Sequence, residues 1–313
     1  MFRKILIAVD GSSCSERAGR AGLEFAKKLR AGVVVAHVLR IPSAYWGLTE
    51  PTESMKQHAR DILEPWALLG QQMQLDLHTE LVKSDDIAES IVHLANRSHC
   101  DLIIAGTHGR KGLGKMLLGS VAERISRLSR GPVLLVRGDG QVAATTGLFE
   151  RILAPVDGSQ AGRPAFELAD LLAAQLGAEL QILHVVPPLP TPVVGPYGND
   201  MRTFNWEVAL EALEQEGEAL LHNAKQQATA PRVKTALIRA QTQREADVIV
   251  EYAKNNHADL IVMGTHGRVG IERLLLGSVA EGVVHQAPVP VLLIRPLQTA
   301  SASRESGVEK AQV

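Results

Sequence analysis

The chain repeats itself, and this limits the folds open to it more than any other feature, because a duplicated unit must close and bury the same architecture twice. Residues 2–12, FRKILIAVDGS, return at 149–159 as FERILAPVDGS, an offset of 147. His37 and Val38 return at that offset as His184 and Val185. Residues 101–110, DLIIAGTHGR, return at 259–268 as DLIVMGTHGR, now at an offset of 158. From Asp101 to Arg137 against Asp259 to Arg295, 21 of 37 positions are identical. Eleven residues are therefore gained between the two registers. Their expected place is the Pro-rich run Pro187 to Pro196, where Pro and Gly exclude regular helix. The reading gives a first unit at 1–138, a Gly/Ala/Thr-rich linker at 139–148, a second unit at 149–297 and a polar, frayed tail at 298–313.

Within a unit, short apolar runs alternate with amphipathic stretches. Ile5 to Val9, Val33 to Leu39, Leu75 to Val82, Leu102 to Ala105 and Val133 to Val136 read as strands, several apolar on both faces as in a covered parallel sheet. Ala18, Ala21, Gly22, Phe25, Ala26 and Leu29 form one helical stripe; Ile87, Ile91, Leu94 and Ala95 a second; Val121, Ile125 and Leu128 a third. The second unit repeats these, with Asn205 to Ala228 as its long second helix. Alternating βα units with right-handed crossovers make a doubly wound α/β sheet, so the fold expected is two tandem Rossmann-like domains.

Composition removes several functions. Lys plus Arg number 33 against 34 acids, a net charge of −1, and only 11 residues are aromatic. A phosphate polymer would find neither a basic field nor stacking platforms, so no nucleic-acid partner is expected. Cys14 and Cys100 form no CxxC pair, which fits a reducing compartment. The apolar run after Arg3 and Lys4 ends at Asp10, too short for a secretion signal, and no run approaches the roughly 18 residues of a membrane span. A cytoplasmic protein is the expectation.

In open parallel sheets, ligands sit beyond the carboxyl ends of strands, where strand order reverses. After the fourth strand come Gly106, His108 and Gly109, then Gly119 and Ser120 at the head of a helix; the second unit repeats them as Gly264, His266, Gly267, Gly277 and Ser278. Glycines permit close backbone approach or positive φ, and a helix start presents unpaired N–H groups that suit a phosphate. The competing reading is turn chemistry, since Ser120 to Glu123 and Ser278 to Glu281 both fit a capping box. Asp10 and Asp157, ending the first strand of each unit, offer carboxylates to a ribose or base, or simply shape a strand-to-helix turn; Ser13 to Glu16 fits a further capping box in the first unit alone. His108 and His266 could touch phosphate or act as acid or base, against a bland role as loop polar groups. His37 and His184 read as core or strand-end histidines. The run from Gly109 to Met116 nearly matches a Walker loop, but Met116 replaces the magnesium-binding hydroxyl and Glu272 stands where Gly114 does. No HExxH or GxSxG motif occurs.

Glycine, two residues, glycine, nine residues, glycine and a small hydroxyl residue, together with Asp-Gly-Ser and Pro-Val-Leu-Leu, resemble the signature of ATP-binding universal stress protein domains. Both units match it, so the chain resembles a tandem member of that family. The resemblance implies a strand order of 3-2-1-4-5, adenosine between strands one and four, and the backbone at Val38 and Val185 meeting the adenine. The glycine loop with Val121 and Val279 would hold the phosphates, and magnesium or manganese would bridge them. The family's proline two residues before the aspartate is present as Pro155, while the first unit has Ala8. The resemblance also implies that the two halves pair through their fifth strands as an intramolecular pseudo-dimer; whether two chains then associate as a homodimer is open from the sequence.

Hydrolysis needs an oriented water and stabilisation of the transferred phosphoryl group, and the sequence shows neither a dedicated base nor an arginine finger. The function read here is an ATP-binding regulator with little or no turnover, whose occupancy shifts domain or dimer arrangement in the stress response. The alternatives are a slow ATPase or autophosphorylating enzyme assisted by His108 or His266, and a scaffold whose crevice holds a lipid or other small molecule under the Pro187 to Tyr197 insertion.

Overall fold

The computed structural model describes residues 1–41, 51–108, 118–137, 149–188, 205–265 and 276–295. The first half runs β1 (Lys4–Ala8), α1 (Ser13–Leu29), β2 (Gly32–Arg40), α2 (Glu53–Met73), β3 (Leu77–Ser84), α3 (Ile87–Arg97), β4 (Leu102–Gly106), α4 (Ser120–Leu128) and β5 (Val133–Val136). The second repeats it as β6 (Arg151–Pro155), α5 (Arg163–Leu176), β7 (Glu179–Val186), α6 (Trp206–Gln227), β8 (Arg232–Arg239), α7 (Glu245–Asn255), β9 (Leu260–Gly264), α8 (Ser278–Gln286) and β10 (Val291–Ile294).

The strands form one sheet in the order β3-β2-β1-β4-β5-β10-β9-β6-β7-β8. Each half is parallel and follows 3-2-1-4-5, the doubly wound order anticipated. Between the halves, β5 and β10 run antiparallel, with Leu134 opposite Leu292. Alternation along the inner strands explains their apolar runs. Ile5 and Ile7 face one layer of helices, α1 and α2 with α5 and α6, while Leu6 faces the other, α3 and α4 with α7 and α8. Phe149, the repeat of Phe2, reaches across to α1 and stacks edge-on against Phe25 at 5.0 Å.

The structure departs from the sequence reading at the third strand, the second helix and the place of the insertion. The third strand begins at Leu77 rather than Leu75, because Gln74 takes a left-handed conformation (φ 57°) that closes α2 and Leu75 N–H bonds back to Gly70. The helix α2 itself has no stripe in that reading, since Pro65 and a polar first half blur its period; its counterpart α6 was the available signal. Nor does the eleven-residue gain lie in one place. Five residues, 240–244, separate β8 from α7 where two, 85–86, separate β3 from α3, so part of it sits at that junction. Beyond Pro188 the Pro-rich run lies outside the described residues, as do the proposed linker and tail.

Candidate functional site

The strand order reverses between β1 and β4 in the first half and between β6 and β9 in the second. Ala8 is level with Ala105, so the chain beyond β1 and the end of β4 meet at the same edge. Asp10 lies two residues past β1. The turn that follows forces glycine: Gly11 and Gly158 have φ of 80° and 76°, where a Cβ is strained. Asp10 Oδ1 accepts the Ser12 N–H at 2.9 Å. Asp157 Oδ1 accepts both the Ser159 N–H, at 2.9 Å, and its hydroxyl, at 2.7 Å. Both aspartates therefore shape the strand-to-helix turn, and both stand at the sheet's carboxyl edge.

The capping in α1 is displaced from its expected register. Its N-cap is Ser12, whose side chain accepts from Ser15 N–H, and Glu16 pairs instead with Arg20 at 2.9 Å. In the second half α5 starts only at Arg163, three residues later in the repeat, behind a Gly162 N-cap with no side-chain cap.

The boxes expected at Ser120 and Ser278 do not form. The N-caps are Gly119 and Gly277, neither helix has a side-chain cap, and the Glu123 and Glu281 amides bond back to those glycines' carbonyls. Glu123 instead pairs with Arg127. Ser120 and Ser278 stand exposed in the first turn. The starts of α4 and α8 thus carry backbone donors and a positive dipole end that no side chain of a cap satisfies.

The glycines leading there have a role the sequence did not reveal. A Cβ on Gly106 would fall 2.9 Å from Cys14 Sγ, and one on Gly119 would fall 2.8 Å from the Thr107 carbonyl oxygen. Gly119 N–H donates to that oxygen at 2.7 Å, as Gly277 N–H does to Thr265 at 2.8 Å. Gly119 and Gly277 have φ of −64° and −62°, so positive φ is not their reason. These contacts press α1 and α4 onto the end of β4 and fix the helix start at the crevice. Thr107 and Thr265, each 2% exposed, receive those bonds; sequence reasoning passed over them although they recur in both copies. Gly264 ends β9 as Gly106 ends β4. Gly109, His266 and Gly267 lie outside the described residues, as do the cations Arg110, Lys111, Lys115, Arg268 and Arg273.

Val38 and Val185 are buried, and their backbone orientation follows from strand parity. Val9 N–H bonds to Ala36 O, and Val33 and Ile41 N–H bond toward the β3 side. Alternate residues of a parallel strand point their N–H and C=O to the same neighbour. Val38 therefore faces the β1 side, where β1 has already ended at Ala8. Val156 N–H to Leu183 O gives Val185 the same direction past the end of β6. Both backbones aim into the crevice. His37 and His184 join strand two to the chain beyond strand one, Nδ1 lying 2.8 Å from Val9 O and 2.7 Å from Val156 O. His108 Nδ1 lies 2.9 Å from Thr107 Oγ1, while its buried Nε2 has no partner among the described residues. Val121 and Val279 are half-buried one residue into α4 and α8, packed against the same helix layer as Ala8.

The halves differ at the last residue of the strand that borders the switch point, Ala8 against Pro155. By the same parity Ala8 faces β4 and Pro155 faces β9. Pro155 has no N–H, and the β6–β9 ladder ends at Leu153 opposite Ile261, whereas β1–β4 continues to Ala8 opposite Ala105.

Comparison with known proteins agrees with this architecture. The profile of the universal stress protein family matches residues 1–137 and again 148–295. A universal stress protein of Mycolicibacterium smegmatis is 30% identical over 304 residues, covering 93% of this chain and 97% of that one. One from Methanocaldococcus jannaschii is 37% identical over 150 residues, 47% of this chain and 83% of the relative. The crystal structure of a universal stress protein from Archaeoglobus fulgidus shares the fold, with a TM-score of 0.66 at 22% identity over 94% of this chain and 98% of that one. With two family matches in tandem on two doubly wound halves, the chain belongs to the universal stress protein family.

Proposed function

We propose that the chain binds an adenine nucleotide, ATP, in each half and acts through occupancy rather than turnover. The observation that carries this reading is the pair of glycine-capped helix starts at Gly119 and Gly277, each held at the switch point by a glycine N–H to threonine carbonyl bond. An anionic triphosphate fits such a start. The Val38 and Val185 backbone groups, turned past the end of strand one, offer a donor and an acceptor to a base edge, and Asp10 and Asp157 stand where a ribose would lie. Gly106, His108, Gly109 and Ser120 with Val121, and Gly264, His266, Gly267 and Ser278 with Val279, complete the assignment. Among the described residues no three of His, Cys, Asp and Glu gather as a metal site. Magnesium or manganese would arrive with the phosphates and supply charge neutralisation there.

Turnover has one observation in its favour: the Nε2 of His108, buried at the end of β4 with no partner among the described residues. It supports a second reading, slow phosphoryl transfer assisted by that imidazole. The scaffold reading rests on residues outside those described. In the favoured account, nucleotide shifts an equilibrium between arrangements of the chain, by the difference in its affinity for them. Domains at 1–138 and 149–297, a homodimer in addition to the two halves' own pairing, and a place in the cytoplasmic stress response belong to the same proposal.

The test is calorimetric titration of ATP into the full chain and into a Ser120→Asp, Ser278→Asp double variant. An acidic residue in the first helical turn favours the helix but repels phosphate, so the variant should fold normally and lose ATP binding. Undiminished affinity in a folded variant would exclude these helix starts as the phosphate site. A Gly119 substitution is a poorer test, because it clashes with Thr107 whether or not a ligand binds. Phosphate release at the rate of the buffer blank would support binding without turnover; release that falls in His108→Ala would support the second reading.

A further inference from the structure

The seam between the halves carries a contact that reaches from the crevice of one half to the glycine-capped helix of the other. We infer that this contact, the Arg137 side chain on the last turn of α8, couples the two crevices, so that nucleotide held in one strengthens binding in the other; this rests on the nucleotide-binding reading above.

The path starts from bonds already described at the site. Gly119, the N-cap of α4, donates its N–H to Thr107 O, and the Thr107 N–H bonds to Val136 O at 2.9 Å, at the end of β5. Arg137 is the next residue. Antiparallel pairing sets Leu135 opposite Val291, and that register continued by two residues brings Arg137 level with Val289, between α8 and β10. From there its Nη1 donates to the His285 carbonyl. That carbonyl is one of the last four of α8, which have no intrahelical donor, and a cation there meets the negative end of the helix dipole. The helix has only nine residues, and the Gly277 cap at its other end opens the second half's proposed phosphate site. A guanidinium rooted at one crevice therefore holds the far end of the helix that serves the other.

The repeat of Arg137 is Arg295, which follows Ile294, whose carbonyl accepts the Thr265 N–H at 2.9 Å in the same manner. Its target by symmetry is the carbonyl of Arg127, the repeat of His285. Arg127 already brings a cation to the end of α4 and pairs with Glu123 at 2.6 Å, so a second guanidinium there meets like charge. Among the described residues the buried Nε of Arg295 has no partner. Arg137 is thus the clasp that carries the coupling. A single clasp still acts in both directions, because each ligand changes the other's affinity by the same factor. Phosphate on the α4 start fixes Gly119 and Thr107, and with them the end of β5 from which Arg137 extends. The second nucleotide then meets a helix whose far end is already ordered, which makes the coupling positive.

Calorimetric titration with ATP measures the coupling. The Ser278→Asp and Ser120→Asp chains, each with one crevice open to phosphate, give the two intrinsic association constants. The product of the unmodified chain's two stepwise constants, divided by the product of the intrinsic ones, is the coupling factor and should be about 5. In an Arg137→Ala background it should fall to about 1, with each single-site chain binding as before. An Arg137 that serves only to hold the fold would lower Tm on substitution and leave the factor unchanged, which would overturn the inference. So would a factor of about 1 in the unmodified chain, a measurement that needs no Arg137 variant to fold. No ATP binding by the unmodified chain would instead remove the reading on which the inference rests.

Discussion

The two halves solve one packing problem in opposite ways, and the contrast separates what the fold requires from what each copy is free to vary. In the first half α1 offers a hollow at Gly19, and the indole of Trp66 from α2 fills it so closely that a Cβ at Gly19 would collide with the ring. In the second half the repeat of Gly19 is Phe166, half-buried on α5, and the glycine with no room for a Cβ is Gly217 of α6, which lies against Leu237 and His184 of the sheet. The aromatic has changed helices while the sheet beneath is unchanged. Buried polar chemistry differs likewise. Asp170 on α5, 6% exposed, accepts the Thr229 N–H and hydroxyl and the Ala230 N–H, clipping the turn before β8. Its repeat in α1 is Leu23, fully buried in the core. What does not vary is the edge where β4 and β9 end: threonine, glycine-capped helix and Asp-Gly-Ser turn occur in both.

This contrast can be broken most forcefully at Trp66. Trp66→Ala should cost about 3–5 kcal/mol in denaturant unfolding, because the hollow at Gly19 cannot close behind it. Phe166→Ala, at a half-buried site, should cost less. Equal losses would show that the two helix pairs are not packed differently. Next in size is Asp170→Leu, which installs the first half's residue in the second. It should cost about 3 kcal/mol, since the Thr229 and Ala230 N–H groups lose their acceptor; a neutral effect would mean that water replaces the clip. Gly119→Ala should cost about 1–3 kcal/mol through its contact with the Thr107 carbonyl, and its effect on unfolding should appear without any nucleotide present.

A slighter change concerns Asp259, whose carboxylate accepts the Glu150 and Arg151 N–H groups at the start of β6. Burial pushes its carboxyl up to about 6 from 3.8, outweighing those bonds. A carboxyl raised on folding adds stability that is fully present below its unfolded value and is lost as pH rises through its folded value. Tm should therefore carry a falling component between pH 4 and 6 that Asp259→Asn removes. Identical pH profiles for the two proteins would refute this.

Whether a feature was legible in the sequence depended on whether it acts through pattern or through position. The repeat exposed the strands and their doubly wound arrangement, because apolar runs at fixed offsets encode a covered sheet directly. The glycines of the crevice were found by the same offsets, but their reason was not. Gly106 and Gly119 look like residues that make room for a ligand; they make room for Cys14 and Thr107. The serine–glutamate spacing at Ser120 imitates a capping box in sequence, yet Ser120 is already helical and the cap falls on Gly119. Capping depends on where φ turns helical, which spacing alone does not record. The consequence of Pro155 was likewise hidden, because it depends on which neighbour each strand residue faces. Asp170 gave no signal at all, having no polar counterpart in the other copy.

If each half holds one triphosphate at its glycine-capped helix start, the number of ATP molecules bound by the full chain must follow the two serines that open those helices. Calorimetric titration of the unmodified chain, Ser120→Asp, Ser278→Asp and the double variant should give two, one, one and none, with all four proteins folded. Full stoichiometry in the double variant, or no ATP bound by the chain before any substitution, would refute the assignment.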